Sequence, residues 1–160
     1  MTSELGFGTA HATEGTMSET LQEKNKALLI DGFNTLFNDH NFAEAEKLWS
    51  PNYIQHSGHI PPGRDGLFNL VKAFPDGTKW DHGIIMAEGD FVMVHSRYSF
   101  LDGSALIVVD IMRIKDGVFQ EHWDVSEGAP TEAESRSKRP VFGDKFPALS
   151  FKKSRLSSLW

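Results

Sequence analysis

The feature that most narrows what this chain can fold into lies between Trp80 and Val125, where four apolar runs are separated by three turn signals. Glu88-Gly89-Asp90, Leu101-Asp102-Gly103-Ser104 and Lys115-Asp116-Gly117 each set Gly beside Asp. These residue types tolerate the left-handed backbone of a tight reversal. The runs between them, 80–88, 91–100, 105–115 and 118–125, are rich in Ile, Val, Phe and Met, as strands are. The spacing therefore predicts a four-stranded antiparallel meander. His95, Arg97, Asp110, His122 and Asp124 interrupt the apolar runs, and these polar residues pose the functional question.

Upstream the period changes. Thr16 with Glu19 has the spacing of a capping box, and Leu21, Leu28, Leu29, Phe33, Leu36 and Phe37 recur at helical intervals, predicting a helix to about Asn38. Gly32 inside it costs about 1 kcal/mol relative to Ala, so it marks a close approach to another element. Asn41 with Glu44 caps a short second helix carrying Phe42, Ala45, Leu48 and Trp49, and Pro51 either ends it or starts the next turn. After Tyr53-Ile54-Gln55-His56 and a loop rich in Pro and Gly, a third helix is expected near Asp65, as its cap, burying Leu67, Leu70, Val71 and Phe74. Three helices before one sheet imply an α+β fold, with the helices packed over the concave face of a curved antiparallel sheet. Residues 1–16 are expected to be a flexible leader, 17–140 the domain, and 141–160 an extension packing on the domain or on a dimer partner.

Composition removes several function classes. The chain has 160 residues, enough for one domain, and 22 acidic against 16 basic residues, a net charge of −6 with no basic stripe, which argues against nucleic-acid binding. It has no cysteine, so neither a disulfide framework nor thiolate chemistry is available. No secretory signal and no apolar run of about 18 residues is evident, so the expectation is a cytoplasmic protein without a membrane partner.

Alternation along strands sorts the polar residues by face. Asp110 groups with Val108, Met112 and Ile114, His122 and Asp124 group with Gln120, and His95 and Arg97 group with Met93. The expectation is one polar patch on the concave side. Buried carboxylates and imidazoles cost several kcal/mol unless paired, so such a patch suits proton transfer; the structural reading is that Asp110 is an internal hydrogen-bond partner and His122 a satisfied core histidine. His56, His95, His122 and Asp110 make a poor zinc set, lacking a close histidine or cysteine pair, and neither a phosphate loop nor a nucleophile elbow is present. No metal and no cofactor is expected. Trp49, Tyr53 and Phe68 are candidates to line an apolar cavity, and His56, His95 and Arg97 to contact a ligand.

The chain resembles the SnoaL-like polyketide cyclase family of the nuclear transport factor 2-like superfamily. The resemblance is carried by Tyr53-Ile54-Gln55-His56, by the helix after Gly63-Arg64-Asp65-Gly66, and above all by the run Val109 to Gly117 leading into Glu121-His122-Trp123-Asp124-Val125. It implies a cone-like α+β barrel, commonly a homodimer through the outer sheet face, with Ile111, Arg113, Glu121 and Trp123 at the interface. It also implies that Asp124 is the acid/base residue, with Asp110 standing where the cyclases carry histidine. The function expected is a cofactor-independent lyase, isomerase or cyclase acting on a small, mainly apolar molecule bearing a carbonyl or hydroxyl. Asp124, Asp110 and His122 would be its catalytic residues. The alternative is a noncatalytic ligand-binding or dimeric interaction module of the same fold.

Overall fold

The computed structural model describes residues 19–151. The first helix, α1 (Leu21–Phe33), runs on through a π-helical turn (Asn34–Asn38). Then come α2 (Phe42–Leu48), β1 (Trp49–Gln55), α3 (Gly63–Lys72) and the strands β2 (Lys79–Glu88), β3 (Phe91–Ser99), β4 (Ala105–Lys115) and β5 (Val118–Gly128). The five strands form one sheet in the order β1-β5-β4-β3-β2, antiparallel except for β1 beside β5. The helices pack over its inner face. The meander turns form as their residues dictate, with Asp116 at φ 53° and Gly117 at φ 73° in the β4–β5 reversal.

The capping box is made by Thr20 and Glu23, one turn beyond the expected pair; Thr16 lies outside the described residues, as do the expected leader and residues 152–160. Asn41 caps α2 through Glu44 N–H, as its spacing implies. At α3 the cap position is Pro62, and Asp65 sits in the first turn instead, where a carboxylate favours the helix dipole. Pro51 does not end a helix; it lies exposed within β1, and an edge strand tolerates its missing N–H because one side needs no partner.

Two side-chain amides pin the first helical segment to the sheet. Asn25 donates to Gly89 O in the β2–β3 turn (3.3 Å), while Asn38 accepts from Trp80 N–H (2.9 Å) and donates to Trp80 O (3.0 Å). Between them Phe33 packs against Trp80 with ring centroids 5.3 Å apart, and Phe119 against Trp49 at 4.4 Å. Gly32 is the close approach expected of it: a Cβ there would lie 2.5 Å from the Phe119 ring.

One bulge decides which residues of β5 look inward. Arg113 pairs with Glu121 but Ile114 pairs with Phe119, so Gln120 is the extra residue. Phe119 and His122 consequently both face the helices, and Gln120 leaves the face that strict alternation gave it. Beyond β5 the chain folds back along the outer face. Phe142 reaches His95 and Arg97, Ala129 joins Ala105 and Ile107, and Phe151 packs on Phe100.

Candidate active site

Register places Asp110 directly opposite Asp124 and Met112 opposite His122, so these polar side chains enter the same hollow from adjacent strands. The hollow is a cavity of about 60 Å³ under α3. Leu67, Leu70 and Phe74 form one wall, Phe37 and Tyr98 a second, and Asp110, His122, Asp124 and His59 the polar end. The aromatic walls brace one another: Tyr98 meets Phe37 edge-on at 5.3 Å and Phe74 at 5.8 Å.

Asp110 and His122 are each 4% exposed and bonded on every side, which removes the cost of burying them. Ser96 Oγ donates to Asp110 Oδ2 (2.9 Å), and His122 Nε2 lies 3.1 Å from Asp110 Oδ1. His122 Nδ1 lies 2.8 Å from Gln55 Oε1. That oxygen also accepts from Ser57 N–H (3.0 Å), which fixes the orientation of the amide. Facing an acceptor, Nδ1 must carry a hydrogen. Nε2 on the other side of the ring faces the Asp110 carboxyl, so the imidazole is held between two oxygen partners.

Asp124 is built differently. Only partly buried, it accepts from Ser57 Oγ (2.9 Å), and Ser57 Oγ in turn accepts from His59 N–H (3.2 Å). Burial pushes its carboxyl above the ordinary aspartate value; attraction to His122, the Ser57 hydrogen bond and His59 oppose this, while the Asp110 carboxylate reinforces it. A carboxyl held up in this way beside an apolar cavity can take or give a proton. Tyr98, on the same wall, has its hydroxyl pushed well above the usual range by burial and by the two carboxylates, so it stays a donor.

The remaining expected site residues lie elsewhere. His95 and Arg97 alternate with the buried Val94, Ser96 and Tyr98 and so project from the outer face, where Arg97 binds Asp81 (2.9 Å). They had been grouped with the inner patch because alternation orders residues within a strand but does not say which face is inner. His56 also points outward, stacked on Trp123 at 4.7 Å and bonded to Glu121 (2.8 Å), whose carboxyl is lowered by that bond and by Arg113. Trp49, Tyr53 and Phe68 are buried in the core, and other residues make the cavity wall. Gln55, Ser57 and Tyr98 were missed. They are uncharged, and nothing local distinguishes them from ordinary strand and loop residues.

Among the described residues, no three His, Cys, Asp or Glu side chains are grouped as a metal ion requires, and no helix is long and apolar enough to cross a membrane.

The sequence model of the SnoaL-like domain matches residues 30–122. No curated protein matches the chain. Among solved structures, a candidate ketosteroid isomerase from Kribbella flavida DSM 17836 is 19% identical with a TM-score of 0.63, covering 78% of this chain and 96% of its own. A candidate polyketide cyclase from Bacillus cereus ATCC 10987 is 16% identical, with a TM-score of 0.58 and coverage of 66% and 75%. TsrD from Streptomyces laurentii is 18% identical, with a TM-score of 0.56 and coverage of 68% and 92%. At these identities the likeness is one of fold.

Proposed function

The chain belongs to the SnoaL-like domain family, and from that premise we propose that it is an acid/base enzyme of the lyase, isomerase or cyclase type, with Asp124 as its proton-transfer group. The carrying observation is that Asp124, alone of the three inner polar residues, keeps capacity toward the cavity while burial raises its carboxyl. Asp110 and His122 do not touch the substrate in this reading. They hold one another in place at the polar end of the cavity, beside Asp124. Tyr98 donates to the substrate oxygen that gains electron density when Asp124 removes a proton.

One observation favours the noncatalytic alternative: Asp110 and His122 are fully satisfied by each other, by Ser96 and by Gln55, as in a structural core pair. Hydrogen–deuterium exchange at carbons next to a carbonyl, followed by NMR in D2O over a panel of small ketones, separates the two readings. The enzyme reading expects exchange by the native protein and a loss of at least about 100-fold in Asp124→Asn, the scale of general acid/base catalysis. Ketones that bind without exchanging would leave a binding module, and exchange by Asp124→Asn equal to the native protein's would remove Asp124 from the mechanism.

The outer sheet face supports the expectation of a homodimer. Ile84, Met86, Phe91 and Val125 are exposed there around half-buried Met93, Ile111 and Trp123. The His56–Glu121–Arg113 cluster borders one end of this apolar area and the 129–151 segment the other.

A further inference from the structure

From the size and charge of the cavity, we infer that the ligand is an uncharged molecule with an acyclic or single-ring skeleton at the reacting end, and neither an anion nor a fused polycycle. The inference rests on the proposed role of this cavity as the reaction site. It goes further by fixing the class of molecule that can enter.

Size supplies the first limit. The cavity holds about 60 Å³, well below the roughly 150 Å³ of an engineered apolar cavity that encloses benzene. One ring can therefore be only partly enclosed. Widening the space for a second fused ring means displacing Phe37, Phe74 or Tyr98; Tyr98 meets both phenylalanines edge-on, and the two phenylalanines stack at 6.3 Å. Close-packed aromatic cores resist such displacement.

Charge supplies the second limit. Among the described residues on the cavity wall there is no Lys and no Arg; the carboxylates of Asp110 and Asp124 are there instead. The basic groups present are already engaged. His122 serves Asp110, and His59 lies close enough to draw the Asp124 carboxyl down. The strand guanidiniums are engaged away from the cavity, Arg97 with Asp81 and Arg113 with Glu121 on the outer face. A carboxylate, phosphate or sulfate would lose its hydration shell and meet Asp124 instead of a cation. A protonated amine fares little better, because the rest of the wall is aliphatic and aromatic and offers it one half-exposed carboxylate. A neutral carbonyl or hydroxyl loses little on entry and finds Asp124 at the polar end and the Tyr98 wall beside it.

A matched series tests this by chemical-shift titration of the full chain with cyclohexanone, cyclohexanecarboxylate, cyclohexylamine and the two-ring 1-decalone. Cyclohexanone is expected to perturb the resonances of residues around Tyr98 and Asp124. The carboxylate should bind at least about tenfold more weakly, equivalent to about 1.4 kcal/mol. Cyclohexylamine and 1-decalone should also bind more weakly than the ketone. In Asp124→Asn the gap between ketone and carboxylate should narrow several-fold, because the repelling charge is gone. A carboxylate or ammonium compound binding as tightly as the ketone, tighter binding of the decalone, or no binding by any of the four would each overturn the assignment. The outcome is independent of turnover. Selective ketone binding with no exchange at carbon would keep the ligand class and remove the enzyme reading.

Discussion

The buried Asp110–His122 pair permits a stability measurement whose magnitude follows from its surroundings. Both side chains are 5% exposed and 3.1 Å apart. In His122→Leu the Asp110 carboxylate stays buried with only Ser96 to donate to it. Removing one partner of a buried pair costs about 3–5 kcal/mol, a large part of the 5–15 kcal/mol typical of a whole domain. Asp110→Leu should cost less, about 1–3 kcal/mol, because His122 can become neutral and keep its Nδ1–H on Gln55. The double variant is the informative one. Without both groups, Ser96 Oγ still has Val108 O at 3.3 Å and Gln55 Oε1 still accepts from Ser57 N–H, so neither loses its last partner; Gln55 Nε2 lacks one already in the native protein. The double variant should thus recover to within about 2 kcal/mol of the native protein, as apolar replacements of buried pairs do. In urea, with a slope of about 2 kcal/mol per molar, His122→Leu should lose about 2 M in midpoint and the double variant no more than about 1 M. If the double variant falls by the sum of the singles, the two side chains are not a coupled pair and the reasoning fails.

Three further outcomes follow from other parts of the structure. Gly32→Ala gains about 1 kcal/mol of helix propensity but drives a Cβ to 2.5 Å from a fully buried Phe119, and overpacking costs about 1–3 kcal/mol; chemical denaturation should register a net loss of about 1 kcal/mol, and a gain would mean that the Phe119 ring can swing away. Because the folded carboxyl of Asp124 is raised, its contribution to stability is complete below the ordinary aspartate value and is lost as pH rises through the raised one. Asp124→Asn, which cannot ionise, should therefore melt above the native protein at neutral pH and lose that advantage in acid; the reverse trend would mean that Ser57, His59 and His122 outweigh burial. Val125 is 77% exposed on the outer sheet face, so Val125→Arg should leave the monomer's stability within about 0.5 kcal/mol. Light scattering should report a smaller mass for it than for the native protein, and equal masses would count against a dimer through this face.

How far the site could be read from the sequence depended on how local each signal was. The meander was legible because each turn carries its own Gly and Asp, and Gly32 was legible because a helix breaker inside a strong helical period needs a cause. Asp110, His122 and Asp124 could be placed together because a short reversal joins their strands and fixes the register between them. The bulge at Gln120 had no such signature, and it changed which neighbour shares their face. The faces of His95 and Arg97 were not legible for a related reason: Met93, His95 and Arg97 alternate as regularly as the buried Val92, Val94 and Ser96, and only the packing of the helices on Val92 and Val94 makes the other face the outer one.

The strand that escaped notice is the one that completes the site. β1 is seven residues long, interrupted by an exposed Pro51, and pairs in parallel with a strand far along the chain through an irregular register. Parallel pairing needs a long crossover and leaves no turn signal beside either strand. Yet 67 residues of separation are closed by Gln55 on His122 and by Ser57 on Asp124. The successive residues Gln55, His56 and Ser57 then divide their tasks by direction, two inward to the acid/base groups and His56 outward onto Trp123 and Glu121. The orientation of His122 and the electrostatics of Asp124 are therefore set by an edge strand, which has one neighbour to hold it. A partner molecule seated against Trp123 and His56 would bear on the residue that lies between Gln55 and Ser57, the two that hold the proton-transfer groups in place.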